Sequence, residues 1–198
     1  SVPVFFEVPD AERILEACAF EDIYHEHCSY FTPGSLARLF RASDFEVTGL
    51  YRGYDDQYLM LEAHPVSQPR VNSHVLEKDV SETLVSVEKY KVAISDKLRF
   101  WNDKLDRYRG QPVALWGSGS KCVSFLSSVV TATDSTFVVD INPYRQGRFL
   151  PGSGFEIHAP ERLRMLQPEL IIAMNSIYIS EIQSSLNSLS VSGELLGL

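Results

Sequence analysis

Tyr24-His25-Glu26-His27 places four side chains able to donate, accept or shuttle protons in one uninterrupted run. Histidine titrates near neutral pH and is the commonest general base, and a nearby carboxylate fixes its tautomer and supports its charged form. If the run is extended, successive side chains alternate, so His25 and His27 share one face and Tyr24 and Glu26 the other. A loop histidine is more often satisfied by backbone groups than reactive, but four such residues together weigh against that plain alternative. His25, His27 and Cys28 could also approach a zinc ion, yet their spacing is not that of a closed site, and no metal is expected.

A second run, Trp116-Gly117-Ser118-Gly119-Ser120-Lys121-Cys122, follows an apolar stretch and opens a helical pattern. A dinucleotide fingerprint has Gly-x-Gly-x-x-Gly at this place and an acidic residue about twenty positions later for the ribose hydroxyls. Gly117 and Gly119 fit and Asp140 ends the next apolar run, but Cys122 stands at the third glycine position. The free N–H groups of a helix start still favour an anion there, and Lys121, Arg145 and Arg148 could add positive charge for phosphates. A tight strand-to-helix turn without a ligand, with three ordinary solvated cations, is an equally weighted reading.

The elements that must position these residues fall into two series. Val4 to Val8 reads as a strand, and a helix with Ile14 and Leu15 on one face follows Pro9-Asp10. Thr32-Pro33 caps a helix ending near Ser43. Residues 45–51 and 57–63 alternate around Arg52-Gly53-Tyr54-Asp55-Asp56, which reads as a hairpin. Residues 65–74 are rich in Pro, Ser and Asn and read as a linker. Val80, Leu84, Val87, Lys91, Ile94, Leu98, Trp101, Leu105 and Tyr108 then step at helical spacing until Gly110 and Pro112. One helix of about 30 residues would be roughly 45 Å long, enough to brace two domains or pair with a second copy, so a homo-oligomer through it is a candidate. Its single Lys91 in the seam favours packing on the chain's own domains. Beyond it come a strand at 113–116, a helix from Lys121 to Val130, a strand at 136–139, a short strand at 155–157, a helix from Pro160, a strand at 170–174 and a helix through Ile182 and Leu186. Apolar strands alternating with helices predict an α/β class with a parallel sheet. The expected divisions are 1–64, then a linker and long helix over 65–110, then 111–198.

A net charge of -8 argues against a general nucleic-acid binder, which needs an excess of Lys and Arg. No apolar run approaches the ~18 residues of a membrane span, and no membrane partner is expected. Cys18, Cys28 and Cys122 form neither a Cys-x-x-Cys pair nor an even set, so neither a disulfide framework nor structural zinc is indicated, and a cytoplasmic location is expected. The start, Ser1-Val2-Pro3-Val4-Phe5-Phe6, lacks the features of a signal peptide and opens directly on a strand. A preceding segment is therefore expected.

Tyr24-His25-Glu26-His27, Tyr30-Phe31, Phe45-Glu46-Val47 and Gln57-Tyr58-Leu59 resemble the end of the methyltransferase domain in sugar C-methyltransferases. Asp140-Ile141-Asn142-Pro143-Tyr144-Arg145-Gln146-Gly147-Arg148-Phe149-Leu150-Pro151-Gly152 resembles the signature loop of their C-terminal domain. The resemblance implies a class I methyltransferase domain, preceded by a zinc-binding module, and a C-terminal Rossmann-like domain closing over a nucleotide-linked deoxysugar. It implies S-adenosylmethionine as donor and methylation of the carbon beside a sugar ketone. In that chemistry His27 is the candidate base, Glu26 its partner, Tyr24 a donor to the sugar or enolate, and His25 an accompanying residue without an assigned role. Gly117, Gly119, Lys121, Asp140, Arg145 and Arg148 are then candidates for the substrate. The chain departs from the family in lacking the zinc module and the first half of the methyltransferase sheet, with its glycine-rich cofactor turn. Alone it is expected neither to bind S-adenosylmethionine tightly nor to turn over, with zinc confined to the missing module. The rival expectation is a non-catalytic nucleotide or nucleotide-sugar binding module.

Overall fold

The computed structural model describes residues 2–70, 72–129 and 135–198. The chain divides into two compact units, Ser1–Ala19 with His27–Ile94 and Phe20–Glu26 with Ser95–Leu198. The first unit does not end at the 65–74 stretch but runs on to Ile94.

In the first unit β1 (Val4–Pro9), β2 (Phe45–Gly53) and β3 (Tyr58–Pro65) form one sheet in the order β1-β3-β2, with β3 antiparallel to both neighbours. The hairpin turn holds Tyr54, Asp55 and Asp56 at positive φ, a conformation that Asp tolerates better than bulky residues. Between β1 and the hairpin lie α1 (Ala11–Glu16) and α2 (Pro33–Ala42). Helix α2 begins at a reciprocal cap, in which the Thr32 hydroxyl accepts from Ser35 N–H at 3.2 Å and the Ser35 hydroxyl accepts from Thr32 N–H at 2.9 Å. This satisfies two of the orphan donors of the first turn. Its Leu36, Ala37 and Phe40 pack on Val47, Leu50, Leu59, Leu61 and Ala63 of the sheet. Asp10 and Glu12 are buried beside Arg52, which donates to them at 2.6 and 2.8 Å. Burial pushes the Asp10 carboxyl up, and the Arg52 bond and charge only partly offset it. The stretch read as a linker is tied to this unit. Val66 N–H donates to Asp44 C=O at 2.9 Å, His74 Nε2 lies 3.2 Å from Val47 C=O, and Arg41 meets Glu77 in a two-pronged pair at 2.9 and 2.6 Å.

Helix α3 (Val80–Arg107) is continuous across the division at Ile94. Its first half leaves Val80, Leu84, Val85 and Val92 exposed, and its second half buries Trp101 and Leu105. Lys91, the interruption in the apolar seam, pairs with Glu88 at 3.0 Å on the helix surface.

The second unit carries the α/β architecture. Strands β4 (Val113–Trp116), β5 (Thr136–Val139), β6 (Ile157–His158), β7 (Leu170–Ala173) and β8 (Glu194–Gly197) form one sheet in the order β6-β5-β4-β7-β8, with every pair parallel. Helices α4 (Ser120–Ser128), α5 (Leu163–Leu166) and α6 (Ile179–Leu189) connect it. Every residue of β4 and β7 is buried, as expected of central strands covered on both faces. Counted from β4 the order is 3-2-1-4-5, the doubly wound Rossmann-like arrangement. The expected strand at 155–157 shifts to Ile157–His158, because Phe155 C=O and Ile157 N–H are taken by Leu150 and Arg148 of the preceding loop. Helix α4 closes at Ser128, and Val130, expected as its end, lies outside the described residues. Strand β8 was not expected at all. Among the described residues no helix is long and apolar enough to cross a membrane.

Candidate functional site

The β4–α4 turn sits at the sheet's switch point. Strands β5 and β7 flank β4 on opposite sides, and ligands of open α/β sheets bind beyond the carboxyl ends of the strands at such a point. Gly117 adopts φ +111, and a Cβ there would lie 3.4 Å from Met174 Cβ. Its N–H donates to Val139 C=O at 2.8 Å, while Met174 N–H donates to Trp116 C=O at 2.9 Å, so the turn is pinned from both sides. Gly119 is the N-cap of α4 and supplies no side-chain cap. Arg145 Nη1 lies 3.5 Å from the position a Gly119 Cβ would take, which sets a cation over the uncapped helix start. Cys122, at the third fingerprint position, is fully buried, and burial followed by the charge of Asp140 pushes its thiol up to about 12. Its side chain fills the helix–sheet contact that a fingerprint glycine leaves to backbone.

Asp140 closes the turn rather than pointing outward. One carboxylate oxygen accepts from Ser118 N–H at 2.8 Å and from the Ser118 hydroxyl at 2.5 Å, and lies 3.5 Å from Arg145. The other accepts from Asn142 N–H at 2.8 Å. Burial opposes ionisation of Asp140, but the Ser118 and Asn142 bonds and the Arg145 charge outweigh it and hold the carboxyl below its ordinary value of 3.8. A depressed folded-state value contributes stability that is complete above the ordinary value and fades as pH falls through the folded one. Wild-type chain is therefore expected to lose thermal stability below about pH 4 more steeply than Asp140→Asn. Parallel melting curves down to pH 3 check this, and equal slopes would refute it. Arg148 is exposed and enters through its backbone, its N–H donating to Arg145 C=O at 3.0 Å and its C=O accepting from Ile157 N–H at 2.8 Å.

The proton-handling run is not extended. A single 3-10 turn, Phe20–Asp22, leads into it and a turn occupies His25–Glu26. Neighbours therefore meet where alternation would have parted them: His25 Nδ1 lies 3.3 Å from Glu26 Oε2, with side chains 76% and 51% exposed. Tyr24 and His27 are the more sheltered members. His27 stands edge-on to Tyr30 with ring centroids 6.0 Å apart. The chain passes from one unit to the other between Glu26 and His27.

Within the second unit, Phe20–Glu26 is held along its length by α4. The Ser124 hydroxyl lies 3.2 Å from Phe20 C=O and 3.0 Å from Ile23 C=O, Lys121 Nζ lies 2.9 Å from Asp22 Oδ1, and the Ser120 hydroxyl donates to Glu26 Oε1 at 2.8 Å. The two runs singled out by their residue types are thus joined, Glu26 meeting the first residue of the helix that the glycine turn opens. Gly117, Gly119, Asp140 and Arg145 also come together, while Lys121 lies on Asp22. Sequence reasoning missed Asp22, Ser120, Ser124, Met174 and Asn175. Asn175 caps the 3-10 turn after β7 by accepting from Ile177 N–H at 3.3 Å, and its place beside the switch point follows only once the strand order is known. Among the described residues no group of three or more His, Cys, Asp or Glu could hold a metal ion.

The sequence profile of the family described as C-methyltransferase C-terminal domain matches residues 77–195, more than half of the chain. The chain belongs to this family. C-methyltransferase NovU of Streptomyces niveus is 26% identical over 194 residues, which covers 90% of this chain and 45% of that protein. The chain spans about half the length of this curated relative. The match begins ahead of α3, takes in β4 to β7, the Gly117 turn and the loop from Asp140 to Gly152, and ends within β8. A methyltransferase-related role follows from that membership.

Proposed function

We propose that the chain is the C-terminal part of an S-adenosylmethionine-dependent C-methyltransferase acting on a nucleotide-linked keto-deoxysugar. The observation that carries this is the bond from the Ser120 hydroxyl to Glu26, which ties the proton-handling run to the helix opened by a turn suited to an anion. Methylating carbon beside a ketone first requires loss of a C–H proton, leaving the electron pair on the oxygen as an enolate. The chain's contribution is that step: His27 takes the proton, Tyr24 donates to the developing oxyanion, and Glu26, paired with His25, orients the run. The uncapped start of α4 at Gly117 and Gly119, with Arg145 above it and Arg148 on the same loop, meets a phosphate of the nucleotide. Lys121 and Asp140 support that site through Asp22 and Ser118.

The same turn favours an anion over the methyl donor. A sulfonium is a cation, and the Arg145 guanidinium over Gly119, although it lies 3.5 Å from Asp140, puts positive charge at a helix start that already favours anions. The donor, which supplies the methyl group and the sulfur leaving group, is therefore assigned to a part of the longer protein outside this chain. Strand β1 stands at the edge of its sheet with Phe5 and Phe6 exposed, which supports a sheet that continues beyond the described strands.

Full-length protein supplied with methyl-labelled S-adenosylmethionine and a nucleotide-linked keto-deoxysugar is expected to give a product labelled on carbon. The isolated chain, titrated calorimetrically, is expected to bind the nucleotide sugar and not the donor. Micromolar donor binding to the chain would overturn the division of labour. Nucleotide-sugar binding with no methyl transfer by the full-length protein would leave the non-catalytic binding module.

A further inference from the structure

Helix α4 presents two different faces. Cys122 and Phe125 are fully buried, whereas Ser120, Lys121 and Ser124 meet Phe20–Glu26. Ser120 and Ser124 are one turn apart and so lie on one face, with Lys121 beside them. Their contacts fall at the end, start and middle of the seven-residue segment. The central contact is a partly buried ion pair: the side chains of Lys121 and Asp22 are 18% and 10% exposed and meet at 2.9 and 3.2 Å. A surface ion pair contributes little, but a desolvated pair with one partner removed leaves a buried charge and cannot relax in place. A second pair, Lys97 to Glu21 at 3.5 Å, ties the segment to α3.

We infer that Lys121 is a positioning residue for the proton-transfer run: through Asp22, with Ser120 and Ser124 assisting, it fixes where Tyr24–Glu26 stand. This rests on the catalytic reading proposed above, and it gives Lys121 a role that needs no contact with substrate. The glycine turn then serves two ends at once, since the helix it starts both offers its N-terminus to an anion and grips the segment that carries Tyr24 and Glu26.

Lys121→Met in the full-length protein is expected to lower kcat about 10- to 100-fold with KM for the sugar nucleotide within about twofold, because a small misplacement of catalytic groups costs this much. Lys121→Arg is expected to restore most of the loss. Hydrogen exchange over 20–26 should quicken about tenfold or more in Lys121→Met, with β4, β5 and β7 unchanged. A raised KM with kcat kept and exchange unchanged would show Lys121 binding phosphate and overturn the inference, as would faster exchange with full turnover. If Lys121→Met loosens the sheet as well, Ser120→Ala decides: faster exchange confined to 20–26 supports the inference, and unchanged exchange ends it. His27→Ala in the same assay separates the two claims, since full turnover there removes the catalytic reading while the exchange data still judge the grip on the segment.

Discussion

His27→Ala in the full-length protein is expected to cut methyl transfer by about 10²- to 10⁴-fold, the usual range for losing a general base. His27 is a half-buried member of its run, packed edge-on against Tyr30, whereas His25 is open to solvent and engaged with Glu26. A base that must take a proton from carbon gains from partial shelter, where water competes less and the imidazole keeps one orientation. Truncation removes the proton acceptor, and His27 is no member of the core that α2 forms on its sheet. The melting profile should therefore fall by about 1 kcal/mol, the usual cost of a single substitution, and not by the amount that unfolds a domain. Turnover at wild-type rate would remove His27 from the mechanism. His25→Ala is expected to cost far less, so the two histidines should separate by at least an order of magnitude in kcat.

Phe125→Ala is expected to destabilise the second unit by about 3–5 kcal/mol, the range for deleting a fully buried aromatic ring. Phe125 has no solvent exposure, meets Trp101 edge-on at 5.5 Å and stacks on Phe20 at 6.4 Å. Lys97 Nζ covers the far ring, 5.5 Å from the Phe20 centroid. One side chain thus joins α4, α3 and the residue that begins the proton-handling segment. At roughly 2–4 °C per kcal/mol for a chain of this size, the second unit's melting temperature should fall by about 6–20 °C. Activity at temperatures where the variant remains folded should also drop, because the cavity opens beneath Phe20. A loss under 1 kcal/mol in denaturant titration would mean that the site collapses around the deletion.

The parallel sheet was legible because its strands announce themselves. Val113-Ala114-Leu115-Trp116 and Leu170-Ile171-Ile172-Ala173 are apolar on both faces, which only a covered central strand requires. Thr32-Pro33 and the 3.6-residue spacing through Trp101 and Leu105 likewise marked α2 and α3. Strand β8 was hidden because Glu194-Leu195-Leu196-Gly197 offers two apolar residues and an exposed Glu194, whose carboxylate is fixed by Lys104 at 2.8 Å and Tyr108 at 2.6 Å. The 65–74 stretch looked like a linker by composition, but its backbone and His74 are bonded to residues 44–47, partners that composition does not reveal. For the site, residue types pointed to the two runs and to the family. They could not show that α4 grips the first run, since a lysine beside a glycine turn reads as a phosphate ligand until Asp22, distant in sequence, is found against it. Nor could they show the turn at His25–Glu26, which brings neighbouring side chains together where an extended chain would alternate them.

The contact of Ser124 with Phe20 spans 104 residues, and it sets an order of events during synthesis. At about 5–20 residues per second, Phe20–Glu26 leaves the ribosome roughly 5–20 s before the helix that will hold it. For that interval its acidic and aromatic side chains have no seat, and the second unit cannot close around Phe125 until they return. The segment is thus made well before α4 and locked only after it, so its seating depends on a helix that is synthesised about a hundred residues later.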